Sequence, residues 1–147
     1  MRKMIPIFIL ILFFSIFLSA CSSPDPAIEG SWIINEEKFT SDDKLNDAYE
    51  FAAEINFGKS GSNEKMYSIV RKSFPYNFGG FYNFSDNNKL KLAFSDLEDI
   101  RIELILDFKL EGDLLEVTNV TVNAPSSSKY TLNDLTSPYY YKRVNKK

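Results

Sequence analysis

The sequence predicts a mainly β domain: a small antiparallel up-and-down β-barrel, or a strongly curved meander sheet, with one short helix after the first strand. Three observations lead there. Residues 99–110 alternate apolar and polar with period two, the signature of a half-buried strand. Short apolar or aromatic runs recur along the chain, separated by Gly, Asn, Asp and Ser, giving at least seven short strands joined mainly by tight turns. A single early segment carries helical spacing instead. Closing such a meander removes its exposed edges, which favours the barrel; a one-sided sheet covered by the helix is the competitor.

The first strand is expected over Ile28-Glu29-Gly30-Ser31-Trp32-Ile33-Ile34. Thr40 to Glu54 is the helical segment: Leu45, Ala48, Tyr49 and Ala52 fall at i, i+3, i+4 and i+7. Ser41 can cap it, and Asp42 and Asp43 place negative charge at the positive end of the helix dipole. A packing helix that plugs one end of the sheet is the expectation, ahead of a lid over a cavity.

From Glu54 the signal is antiparallel β. Residues 54–61 read as a strand ending in a Gly-containing turn, with Lys65 to Lys72 returning. Gly79-Gly80 introduces Phe81-Tyr82-Asn83-Phe84, and a three-residue loop Asp86-Asn87-Asn88 pairs Phe84 with Leu90 and Tyr82 with Leu92. Asn88 is expected in the left-handed conformation that such a loop requires.

The clearest hairpin follows. Ile100, Ile102, Leu104, Leu106, Phe108 and Leu110 form one face, and Gly112-Asp113 supplies a two-residue turn. That turn pairs Leu110 with Leu115, Phe108 with Val117 and, on the outer face, Lys109 with Glu116. The apolar parity then switches to Val120 and Val122, which predicts a bulge near Asn119. Ala124-Pro125-Ser126-Ser127-Ser128 loops into another short strand, and Tyr139 to Val144 closes the domain.

Ahead of the domain, Arg2 and Lys3 precede a 17-residue apolar run, Met4 to Ala20, that ends in Leu18-Ser19-Ala20-Cys21. A spanning helix needs about 20 apolar residues, and a plain anchor gives no reason for small residues before the only cysteine. The order is that of a secretory signal. It resembles the bacterial lipoprotein lipobox, which implies that residues 1–20 are a signal peptide and that Cys21 is lipidated, anchoring the protein to a membrane of the cell envelope. Residues 21–27 then form a short linker reaching at most roughly 20 Å.

Composition narrows the chemistry. The chain has no histidine and one cysteine, so Ser-His-Asp and Cys-His constellations, Cys/His zinc sites and a structural disulfide are not available. The expectation is a non-enzyme without cofactor. With 17 basic and 20 acidic residues, and no basic cluster beyond the paired bases near the end of the chain, nucleic acid is not an expected partner. Asp96, Glu98 and Asp99, like Asp42 and Asp43, lack calcium-loop spacing and read as solvated charge. The sequons at Asn83 and Asn119 carry no meaning in a bacterial lipoprotein.

Gly30-Ser31-Trp32 on the first strand resembles the Gly-x-Trp signature of lipocalins and their bacterial relatives. The resemblance implies a lipocalin-like domain over residues 28–147, with the Trp32 ring at the barrel base and Arg143, from the closing strand, packed across it. Two functions follow as expectations. One is a barrel that binds a small apolar or amphipathic ligand, with Tyr82, Phe84, Leu92, Leu106 and Phe108 facing the ligand or filling the core. The other is a filled, non-catalytic barrel that contacts another envelope component. Of the aromatic stretch Phe74, Tyr76, Phe78, Phe81, Tyr82 and Phe84, core filling is the favoured role. A solvent-connected hollow above about 300 Å³ lined by the even-numbered residues from Tyr82 to Leu110 would support the binder, and a solid barrel would overturn it.

Overall fold

The structure is a computed structural model and describes residues 26–72, 78–95, 101–125 and 138–144. Among these, eight strands close an antiparallel up-and-down barrel in sequence order. They are β1 (Gly30–Ile34), β2 (Glu54–Lys59), β3 (Lys65–Val70), β4 (Phe78–Asp86), β5 (Lys89–Ser95), β6 (Arg101–Glu111), β7 (Leu114–Asn123) and β8 (Tyr139–Val144). A 3-10 turn (Glu36–Lys38) and one helix, α1 (Asp42–Ala52), lie between β1 and β2. Strand β8 pairs with both β7 and β1, so the sheet has no free edge there and the one-sided alternative is excluded.

Period two decides what faces inward. Ile102, Leu104, Leu106 and Phe108 of β6 are buried, while Glu103, Ile105 and Asp107 between them are half-exposed. The partners agree: Leu106 lies opposite Leu90 on one side and Val120 on the other, Leu104 opposite Leu92 and Val122. The β6–β7 turn is Gly112-Asp113, with Gly112 at φ +60°. Lys109 meets Glu116 across the outer face at 3.5 Å. The parity switch in β7 is a bulge in which Thr118 has no partner between Val117 and Asn119. Its hydroxyl donates to the Asp107 carbonyl at 3.2 Å.

Four expectations need correction. β1 begins at Gly30, not Ile28, because Gly30 adopts φ +128° and turns the chain into the sheet. The helix is shorter than the segment from Thr40 to Glu54 and runs from Asp42 to Ala52, which still holds the whole apolar stripe, capped by the Ser41 hydroxyl accepting from the Lys44 N–H. The β4–β5 connection keeps the Phe84–Leu90 and Tyr82–Leu92 pairs but forms differently. Asp86 pairs with Lys89 around Asn87-Asn88, and the extra residue is absorbed as an irregularity between Phe84 and Asp86. Asn88 does not take a left-handed backbone; the one non-glycine residue with positive φ among those described is Asn63, in the β2–β3 turn. The strand expected after Ser128 falls on residues outside those described.

Candidate functional site

The barrel has two dissimilar ends. At the first, hereafter the helix end, α1 packs across the opening, and Ala48, Phe51 and Ala52 are buried. Phe51 stacks on Tyr139 with ring centroids 5.0 Å apart, and the Tyr141 hydroxyl donates to the Ala52 carbonyl at 3.2 Å. The Ala53 N–H donates to the Val70 carbonyl at 2.7 Å, fastening the end of the helix to β3. Of the two roles considered for this segment, the plug is the one the structure has.

The middle of the barrel is filled. One apolar cluster runs from Phe51 and Ile69 through Leu92, Leu104 and Leu106 to Phe57 and Phe108. Leu92, Leu106 and Phe108, considered as ligand-facing or core, are core. Phe78 packs on Phe94 at 4.9 Å, also inside. Phe81 departs from the expected core role: it has the outward parity of β4 and is 52 % exposed, opposite Met66, itself 40 % exposed. Phe74, Tyr76 and the acidic residues 96–99 lie outside the described residues, as does Cys21.

At the second end the chain enters the barrel, and here Trp32 and Arg143 meet. They are register partners on β1 and β8, and the Arg143 guanidinium lies 4.3 Å from the centre of the Trp32 ring. That contact contributes roughly 0.5–2 kcal/mol, depending on how far it is desolvated. The indole N–H donates to the Ile28 carbonyl at 2.8 Å. Arg143 also donates to the Glu29 carbonyl and, at 2.7 Å, to the Ala27 carbonyl, and its Nε sits 3.2 Å from an Asp113 carboxylate oxygen. A planar guanidinium with several fixed donors suits this work; an ammonium does not. Gly30 fits the same arrangement, because a Cβ there would lie 3.1 Å from the Arg143 guanidinium. Residues 27–29, of which Ile28 is buried, are thereby pinned to the barrel wall.

Beside this clamp the end stays open. A hollow of about 600 Å³ is lined by Pro26, Ala27, Lys59, Lys65, Tyr82 and Phe84, among others. Its floor is aromatic: Tyr82 packs edge-on against Phe57 at 5.2 Å and against Phe84 at 6.0 Å, and Phe84 tilts against Phe108 at 6.2 Å. Its rim is charged. Lys65 Nζ stands 5.0 Å over the Phe84 ring, and Lys59 pairs with Glu29 at 3.1 Å. Tyr82 and Phe84 are thus brought together at a solvent-connected hollow, whereas the other three residues considered with them are sealed below it.

A second hollow of about 580 Å³ lies on the outside of the barrel over β1, β2 and β3. A polar ladder crosses it: the Ser31 hydroxyl donates to Asn56 Oδ1 at 2.5 Å, and Asn56 Nδ2 donates to the Ser68 hydroxyl at 3.4 Å. Lys59 and Lys65 at the rim of the first hollow were missed in the sequence. The signal was present, since each sits two residues beyond an inward aromatic, Phe57 and Tyr67, on its own strand. Comparison with protein-family models, with curated proteins and with solved structures gives no match.

Proposed function

We propose that the protein is an exported lipoprotein, anchored to a membrane of the cell envelope through Cys21, whose barrel binds a small apolar or amphipathic ligand without catalysis. The observation that carries this reading is the hollow of about 600 Å³ over the Tyr82 and Phe84 rings. Its volume falls within the roughly 300–1,000 Å³ of small-molecule sites. Because Leu92, Leu106 and Phe108 fill the interior, the ligand rests at the mouth and not in a deep calyx. Pro26 lines that mouth, and the five residue-to-residue steps from Cys21 to Pro26 reach at most about 17 Å, so the opening stays near the bilayer. Native mass spectrometry of the lipidated chain isolated from its own host tests the reading. A bound small molecule, lost on Phe84→Ala, supports it; a protein carrying only its own acyl chains contradicts it.

The exposed Met66–Phe81 pair favours a second reading, a filled barrel that contacts another envelope protein through its outer wall. Under that reading Phe81→Ser abolishes a crosslink formed in intact membranes, while Phe84→Ala leaves it unchanged.

A further inference from the structure

Resting on the reading of the mouth as an amphiphile site, we propose that the ligand is an anion, with a carboxylate or phosphate head between Lys59 and Lys65 and an apolar body on Tyr82 and Phe84. Lys59 and Lys65 are direct register partners at the ends of β2 and β3. Each continues the inward parity of its strand, after Ile55 and Phe57 on β2 and before Tyr67 and Ile69 on β3. Both side chains therefore rise from the inner face of the barrel at its mouth, with Cβ atoms about 5 Å apart.

Like charges placed directly opposite one another on a sheet face are destabilising. They stand here in a chain with more acidic than basic residues. The third inward position at this rim is also cationic, Arg143, but that guanidinium is committed to the Ala27 and Glu29 carbonyls, Asp113 and Trp32. The carboxylate beside Lys59, on Glu29, forms a pair in which both side chains are about half-exposed. Such a pair is weak and yields readily to a competing anion.

An anion between the two ammonium groups lowers their mutual repulsion; an uncharged ligand does not. The position of Lys65 over Phe84 then fixes the ligand's shape, because head site and aromatic floor are neighbours within one hollow. That juxtaposition fits an amphiphile and suits neither a bare inorganic anion nor a neutral oil. A fatty acid and an anionic phospholipid share this chemistry.

Photocrosslinking of the full lipidated chain in phosphatidylcholine vesicles tests the proposal. Three probes carry the same diazirine-bearing acyl chain: a free fatty acid at mildly alkaline pH, its methyl ester, and a phosphatidylglycerol. The expected result is labelling of the peptide containing Tyr82 and Phe84 by an anionic probe. That labelling falls about tenfold with the methyl ester and in the Lys59→Gln/Lys65→Gln variant, the effect of losing one charge-assisted contact. Unchanged Trp32 emission in the variant shows that its barrel is intact. Labelling by the fatty acid alone identifies a free acid as the source, and labelling by phosphatidylglycerol alone identifies a bilayer lipid. If the methyl ester labels as well as the acid and the variant changes nothing, the anion proposal fails while the amphiphile reading stands. If no probe labels the mouth, both fail.

Discussion

At the helix end, Phe51 stacks on Tyr139, Ala48 and Ala52 are buried, and the closure is apolar shape filling shape. At the mouth, Arg143 holds two backbone carbonyls, a carboxylate and an indole face, and a hollow remains beside it. The contrast teaches how one small barrel divides its work. Burial at one end supplies stability without requiring access, whereas fixed polar contacts at the other pin the incoming chain yet leave room for a ligand.

Mutations that break the two closures should differ in kind. Phe51→Ala removes a fully buried ring and is expected to destabilise the domain by about 3–5 kcal/mol, read as a lower midpoint in urea. Arg143→Ala removes the cation–π contact and two charge-assisted hydrogen bonds, and about 2–4 kcal/mol is expected. Arg143→Lys should recover less than half of that loss, since an ammonium cannot serve both carbonyls and the ring. Trp32, the only tryptophan, reports the difference: its emission should shift in both Arg143 variants and stay nearly constant in Phe51→Ala below its unfolding transition. Gly30→Ala meets both a strained φ of +128° and the guanidinium at 3.1 Å, and a loss of about 1–3 kcal/mol is expected in the same assay.

A smaller effect sharpens the comparison through pH. Burial, with a lesser contribution from Tyr139, holds the Tyr141 hydroxyl well above the ordinary tyrosine value. A raised folded value means the neutral form is favoured in the fold. Its contribution is fully present below the unfolded tyrosine value, about 10, and is lost as pH rises toward the folded one. Alkaline titration should therefore weaken the helix end. Tyr141→Phe should flatten that dependence while costing about 1 kcal/mol at neutral pH through the lost bond to Ala52. Asp107, on the outer wall, runs the other way. Lys89 beside it at 2.8 Å lowers its carboxyl value, so its small contribution is present above the ordinary carboxylate range and disappears as pH falls through the lowered one. A carboxyl NMR titration should place the Asp107 midpoint below that of an isolated aspartate.

Most of the barrel was legible because period two is strong where one face is buried. The pairing of Leu110 with Leu115, the surface pair Lys109–Glu116 and the parity switch near Thr118 all follow from alternation and one glycine turn. Legibility ended where sheet shape, not alternation, decides. The Asn88 loop went astray because an irregularity between Phe84 and Asp86 satisfies the same hydrophobic register as a longer loop. Phe81 was grouped with core aromatics by composition, although its own strand puts it on the opposite face from Tyr82. The mouth was the least legible part. Lys59 and Lys65 carry no signal of a site while they are only the ends of two strands; closure of the barrel turns their shared parity inward.

Hydrogen–deuterium exchange of the full lipidated chain in vesicles, with and without a long-chain fatty acid, tests most directly that the barrel is sealed at the helix end and receptive at the mouth. Added fatty acid should raise protection in peptides covering residues 26–30, 59–65 and 82–84 and leave α1 and residues 139–141 unchanged. Protection gained at α1 with the mouth unaffected would contradict the account.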